Sequence, residues 1–235
     1  MSKPEEPENP ASEAKQIDML DARQSAQELY QHHQQDLAAI DRSSDPLAWA
    51  HKALDVAEAL LALERQQEAW QQARPALDIF LQQQQWQQAV ETCNVLFQTE
   101  QDESVAALAH GVWLAVSFPI EADTSVVMLQ HIVDETPADS DGAAVAAATA
   151  RYLVELRTQG DKQESLLFLT NQILGQVAQR HSHVTDQENF DLWIERLQLK
   201  EPTVLLPRLA QILETMVNKH WWFDKEQLRQ QMPTD

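Results

Sequence analysis

Apolar residues along this chain recur three and four positions apart, the spacing of amphipathic helices. Trp86, Ala89, Val90, Cys93, Leu96 and Phe97 fall at i, i+3, i+4, i+7, i+10 and i+11. Val105, Leu108, Ala109, Val112 and Val116 repeat the stripe, as do Val145, Ala148, Tyr152 and Leu156. Leu166, Leu169, Thr170, Ile173 and Val177 do so again. Phe190, Trp193, Ile194 and Leu197 make a shorter helix, capped by Thr185 or Asp186. Leu206, Leu209, Ile212, Leu213 and Met216 make the last long one, with Pro207 in its first turn. No stretch alternates with period two between turn signals, so the expected fold class is all-α.

The first third is less regular. Residues 1–15 read as a disordered acidic tail, and 16–42 as a peripheral helix whose thin stripe runs from Ile17 to Ile40. Residues 43–235 read as a single all-helical domain. It opens at Ser43-Ser44-Asp45-Pro46, where a capping side chain satisfies free amides and proline presets φ. Leu47 to Glu64 follows, with Trp49, Ala53, Val56, Leu60 and Leu63 at helical intervals. Pro75 is expected to break or kink the helix through Trp70, because it removes a donor and clashes one turn back.

Three helix pairs, 70–99, 105–136 and 142–179, can be laid over one another. Each second helix has a small residue near its start (Ala89, Ser125, Ser165), spaced by 36 and then 40 residues. Gly160-Asp161 sits at one turn within a pair, and Pro137-Ala138-Asp139 closes another. On these residues the stretch 70–180 resembles the tetratricopeptide class of helix–turn–helix repeat, whose period is about 34 residues. Trp113 and Val116 stand where that class has the Trp and Leu of its first helix. Ser117 and Ile120 stand in place of its glycine and tyrosine, and Pro137 comes before its closing proline. Tyr152 fills the tyrosine position of the third pair, with Thr149 in place of the glycine. The resemblance implies antiparallel helix pairs stacked as a right-handed array. An irregular helical bundle fits the same stripes, since in both each pair hides its apolar face against the next.

Charge adds more than composition does. The chain carries 17 Lys and Arg against 37 Asp and Glu, a net charge of −20. Such a balance argues against nucleic-acid binding, which needs a positive surface. Between Arg74 and Arg151 there is no Lys or Arg, while 11 acids occur. Some cap helix N-termini, where the dipole favours them. The rest are expected to form an unneutralised field suited to a basic protein surface, with Asp102, Glu103, Glu121, Asp123, Asp134 and Glu135 as its contacts. The second candidate is His220-Trp221-Trp222-Phe223-Asp224. One or two of these rings seal the last long helix; Trp221 or Trp222 is left as a candidate anchor for a partner. Asp224 and Gln227 look like a capping pair for a short final helix.

Chemistry-bearing motifs are few. With one cysteine there is no disulfide framework and no four-cysteine zinc site. His51 with Asp55, and His131 with Asp134 or Glu135, lie one turn apart, but neither Glu-x-x-His nor His-Glu-x-x-His occurs. Asp139-Ser140-Asp141-Gly142 resembles part of a calcium loop, yet Pro137 and Ala148 would fall at its first and last ligand positions. Ser140 or Asp141 as a helix cap accounts for those residues. Cys93 reads as a small buried apolar residue. Gly111 and Gly175 interrupt helical stripes, which points to close helix packing or, beside His110, Gly111 and Trp113, to a small-ligand pocket. Neither a cofactor nor a metal is expected.

The acidic N-terminus lacks signal-peptide character and no apolar run is long enough for a membrane span, so a cytoplasmic protein without membrane contact is expected. The function expected from these features is a non-enzymatic helical adaptor or assembly factor with a basic protein partner. Self-association is left open. A maturation chaperone for a larger redox enzyme is the alternative: the acidic all-α members of that class are similar in size and composition, but their Asp-His-x-x-x-Glu signature is missing. An all-α small-ligand-binding protein is the third reading.

Overall fold

The computed structural model describes residues 10–231, with side chains from Asp21 onward. Its described residues form eleven helices and no strand. They are α1 (Pro10–Ala39), α2 (Pro46–Ala62), α3 (Gln66–Gln82), α4 (Trp86–Gln98), α5 (Ser104–Ser117) and α6 (Ala122–Glu135). Then come α7 (Asp141–Arg157), α8 (Gly160–Ser182), α9 (Gln187–Arg196), α10 (Pro202–Met216) and α11 (Lys225–Arg229). No helix among the described residues is long and apolar enough to cross a membrane.

The expected helix starts are present at atomic detail. Asp45 accepts the Ala48 amide at 3.0 Å, with Pro46 in the first turn of α2. Ser140 accepts the Gly142 amide, Asp186 that of Asn189, and Asp224 those of Glu226 and Gln227. Other boundaries differ. The first helix starts at Pro10, inside the stretch read as a tail, while residues 1–9 lie outside the described residues. Pro75 does not end α3, which runs unbroken to Gln82. Ala69, Ala73, Ala76, Leu77 and Phe80, buried on both sides of it, offset the lost hydrogen bond. The tenth helix begins at Pro202, so Pro207 lies inside it rather than in its first turn.

Short connections make successive helices antiparallel, and from α1 to α9 each packs on the next. The most extensive pairings are α2 with α3, α4 with α5 and α6 with α7. This moves the pairing by one helix from the pairs 70–99, 105–136 and 142–179. The helices α2, α4, α6 and α8 begin at Pro46, Trp86, Ala122 and Gly160, which are 40, 36 and 38 residues apart. They also touch their next-but-one neighbours, whereas such contacts among α3, α5 and α7 are weaker. The even-numbered layer is therefore the inner side of a bend. On the outer side α10 crosses both α5 and α7. That covering explains why α5 is buried from Ala107 to Ala115 without a break, and α7 from Ala143 to Ala150.

The chain ends several helices without glycine. Glu64, Gln84 and Glu100 all take left-handed φ values, 59°, 56° and 55°. After the first two, Arg65 and Gln85 donate back to the Leu60 and Phe80 carbonyls, each at 2.9 Å, as in a Schellman turn. A side chain in that conformation costs about 1–2 kcal/mol, and glycine's extra freedom in the unfolded chain returns part of it. The double change Glu64→Gly and Gln84→Gly is expected to raise stability by about 1 kcal/mol, read as a higher thermal midpoint.

Gly111 marks a helix crossing. A Cβ there would fall 2.4 Å from Met128 Cε on α6 and 2.7 Å from Cys93 Cβ on α4. The methionine end can swing away, but the cysteine Cβ is fixed to its backbone. Gly111→Ala is therefore expected to destabilise by about 1–2 kcal/mol despite alanine's better helix propensity. A gain on urea denaturation would show that the three helices can spread. Cys93 itself is fully buried, and burial pushes its thiol well above the usual range, away from thiolate chemistry.

Candidate functional site

Two places bring expected site residues together. The first lies on the outer side, where residues 220–224 fold back across α5. His110 is fully buried there. Its Nδ1 donates to the Ala106 carbonyl one turn earlier, which leaves the Nε2 lone pair to accept the Trp222 backbone amide at 2.8 Å. The Trp222 ring stacks on the imidazole at 4.2 Å between centroids, while Trp221 and Phe223 meet it edge-on at 5.0 and 5.2 Å. Arg74 of α3 covers Trp222 at 4.5 Å. The Lys225 ammonium lies 4.0 Å from the Trp221 ring centre and pairs with Glu214, which also accepts the Trp221 indole N–H at 3.0 Å.

These contacts place both sets of residues in one cluster. The space beside His110 and Trp113 is taken by the chain's own Trp221, Trp222 and Phe223. Gly111 faces the opposite way, toward Cys93 and Met128, and lines nothing in common with His110. Trp221 and Trp222 are half-buried, engaged on several sides by the same molecule. Burial, above all, pushes the His110 pKa down to about 4, and the charges of Arg74 and Lys225 add to the fall. The imidazole is therefore neutral at pH 7, as its acceptor role toward Trp222 requires.

The second place is acidic. Asp102, Glu103, Glu121, Asp123, Asp134 and Glu135 are all exposed. Helix direction divides them. Asp102, Glu103, Asp134 and Glu135 lie at the end of the array reached by the α4 and α6 C-termini; Glu121 and Asp123 lie at the opposite end of α6. The field is also not wholly unneutralised, because bases from outside 75–150 reach into it. Arg74 pairs with Asp78 at 2.7 Å, Lys162 with Asp123 at 3.0 Å, and Arg208 with Asp141 at 2.9 Å.

The inner face carries carboxylates that sequence spacing did not gather. Glu58 on α2 comes near Glu91 on α4, with Asp55 one turn before it on α2 paired to Lys52 at 2.8 Å, and a groove of about 260 Å³ runs between Glu91, Asn94, Asp123, Thr124, Val127 and Met128. Glu58 is open to solvent but hemmed in by protein on the inner side of the bend. That partial desolvation, then the charges of Asp55 and Glu91, hold its carboxyl above the usual carboxylate range. Gln87 fixes the groove's lower end: its Oε1 accepts the Glu121 amide at 3.1 Å, and its Nε2 donates to Thr124 at 2.8 Å and Glu91 at 2.9 Å. Gln87 thus joins α4 to α6. His131, considered above for metal, instead meets Asn94 at 2.9 Å. Among the described residues no group of three or more His, Cys, Asp or Glu is arranged to hold a metal.

Comparison of the chain with known protein families, with characterised proteins and with solved structures found no match.

Proposed function

We propose that the protein is a non-enzymatic helical adaptor or assembly factor that holds a basic segment of a protein partner along the inner face of α2, α4 and α6. The observation that carries this reading is the approach of Glu58 on α2 to Glu91 on α4, where the Glu58 carboxyl is disfavoured as a charge. A lysine or arginine entering there relieves the repulsion. Val127, 45% exposed on the neighbouring helix, offers an apolar surface for the stem of such a side chain. The stacking of antiparallel helix pairs supports a scaffold role, since an array of this kind presents a continuous inner face.

The reading is tested by affinity capture from native lysate with mass spectrometry. Glu58→Lys with Glu91→Lys is expected to abolish capture of the partner seen with the wild type, and about 1 M salt to release it, since the Debye length there is only about 3 Å. Asp134→Lys with Glu135→Lys, at the end of the array, is expected to leave capture intact. Equal loss in both double variants would mean that only net charge matters and would refute a site on the inner face.

A further inference from the structure

The last full-length helix of the inner layer, α8, has an outer face unlike the rest of the molecule. It is 23 residues long, and α9, which folds back on it, has only 10. From Ser165 to Gln179 there is not one charged residue, in a chain whose net charge is −20. Phe168 on that face is 67% exposed and Leu169 beside it 42%. Seven residues on, and so on the same side of the helix, stands Gly175. A Cβ at Gly175 would meet nothing within 4 Å, so the close packing expected for it from sequence does not occur within the molecule. Glycine costs about 1 kcal/mol against alanine at such an exposed helix position. It floors a groove of about 460 Å³ lined by Gln179, Val184, Thr185, Asp186, Gln187 and Phe190.

We propose that two copies of this chain pair through antiparallel α8 helices, the Phe168 ring of each entering the groove over Gly175 of the other. A bulky residue and a vacant position seven apart on one helix are self-complementary about a two-fold axis between residues 171 and 172, as an isologous contact requires. Residues 151–200 hold six Lys and Arg against seven Asp and Glu, a net of −1. Two strongly acidic molecules therefore meet here with little repulsion. The pairing leaves the inner groove between α4 and α6 free and does not depend on the partner-binding reading.

Analytical ultracentrifugation of the full chain tests it. The wild type is expected to sediment as a dimer that dissociates on dilution. Phe168→Glu and, separately, Gly175→Leu are each expected to weaken the dimer about tenfold or more while the far-ultraviolet circular dichroism is unchanged. Gln172→Cys, next to the two-fold axis, is expected to give a disulfide-linked dimer on mild oxidation, which keeps the test valid should either other variant misfold. A wild type that stays monomeric at submillimolar concentration, or a dimer indifferent to both Phe168→Glu and Gly175→Leu, would overturn the proposal. So would a Gln172→Cys chain that forms no covalent dimer.

Discussion

Arg157→Ala is expected to lower the unfolding free energy by about 3 kcal/mol, the largest loss from any single surface-reaching side chain of the array. The guanidinium stands in the last turn of α7 and gathers backbone oxygens from the turn between α5 and α6. Nη1 donates to the Ala115 carbonyl at 2.7 Å, to Ile120 at 3.3 Å and to the Ser125 hydroxyl at 3.0 Å. Nη2 donates to Val116 at 3.1 Å and Phe118 at 3.0 Å. Several of these are the free carbonyls of the α5 C-terminus, where the helix dipole favours a cation. Burial pulls the guanidinium's pKa below its usual value, so desolvation is a real cost here, offset by the oxygens around it. Removing the side chain strands those oxygens in a partly buried turn. Arg157→Lys is expected to recover less than half of the loss, because an ammonium cannot serve five acceptors spread over a planar fork. Urea denaturation of the two variants beside the wild type measures both numbers; losses under about 1 kcal/mol in the alanine variant would show that water replaces the guanidinium at little cost.

Acidification from pH 7 to 4 is expected to remove about 3 kcal/mol through His110 alone. Its pKa in the folded protein is about 4, below the ordinary value of 6.5. The unfolded chain therefore takes up the proton first as pH falls. The stabilisation is whole above pH 6.5, declines between 6.5 and 4, and changes no further below. In structural terms a protonated Nε2 faces the Trp222 amide donor-to-donor, and the imidazolium sits near Arg74 and Lys225. The segment 220–224 should detach first. His110→Gln serves as the control: the gap in stability between wild type and variant should shrink by about 3 kcal/mol on going from pH 7 to 4. Tryptophan fluorescence should report the release of Trp221 and Trp222 ahead of the loss of helical signal. A pH-independent gap would mean that the imidazole is hydrated in the folded state.

What could be read from the chain and what could not divide along physical lines. Helix starts at Pro46, Asp141, Gln187 and Lys225 were legible because a capping side chain acts over two or three residues. The left-handed backbone at Glu64, Gln84 and Glu100 gave no signal, since the residue there is not glycine. The stripe on α5 pointed to one buried face, but burial all round depends on α10, almost a hundred residues later. His110, Trp113, Trp221 and Trp222 were singled out separately, as a pocket and as anchors. Nothing local could announce that a hydrogen bond spanning 112 residues makes them one packed cluster. The acidic stretch was plain from counting, whereas its partial neutralisation by Lys162 and Arg208 needed the fold. Glu58 fell outside the stretch altogether and entered the inner face only through the packing of α2 on α4.

The central claim is that recognition occurs on the inner face of α2, α4 and α6, and methyl resonances test it most directly. Val127 and Met128 border the inner groove, Val184 the α8 groove, and Leu228 the aromatic cluster around residues 221–223. On adding the partner recovered by capture, the Val127 and Met128 methyl signals of isotope-labelled protein should shift at low salt and return in high salt. Val184 and Leu228 should stay in place. Shifts confined to Val184 or Leu228, with Val127 and Met128 unmoved, would contradict the account.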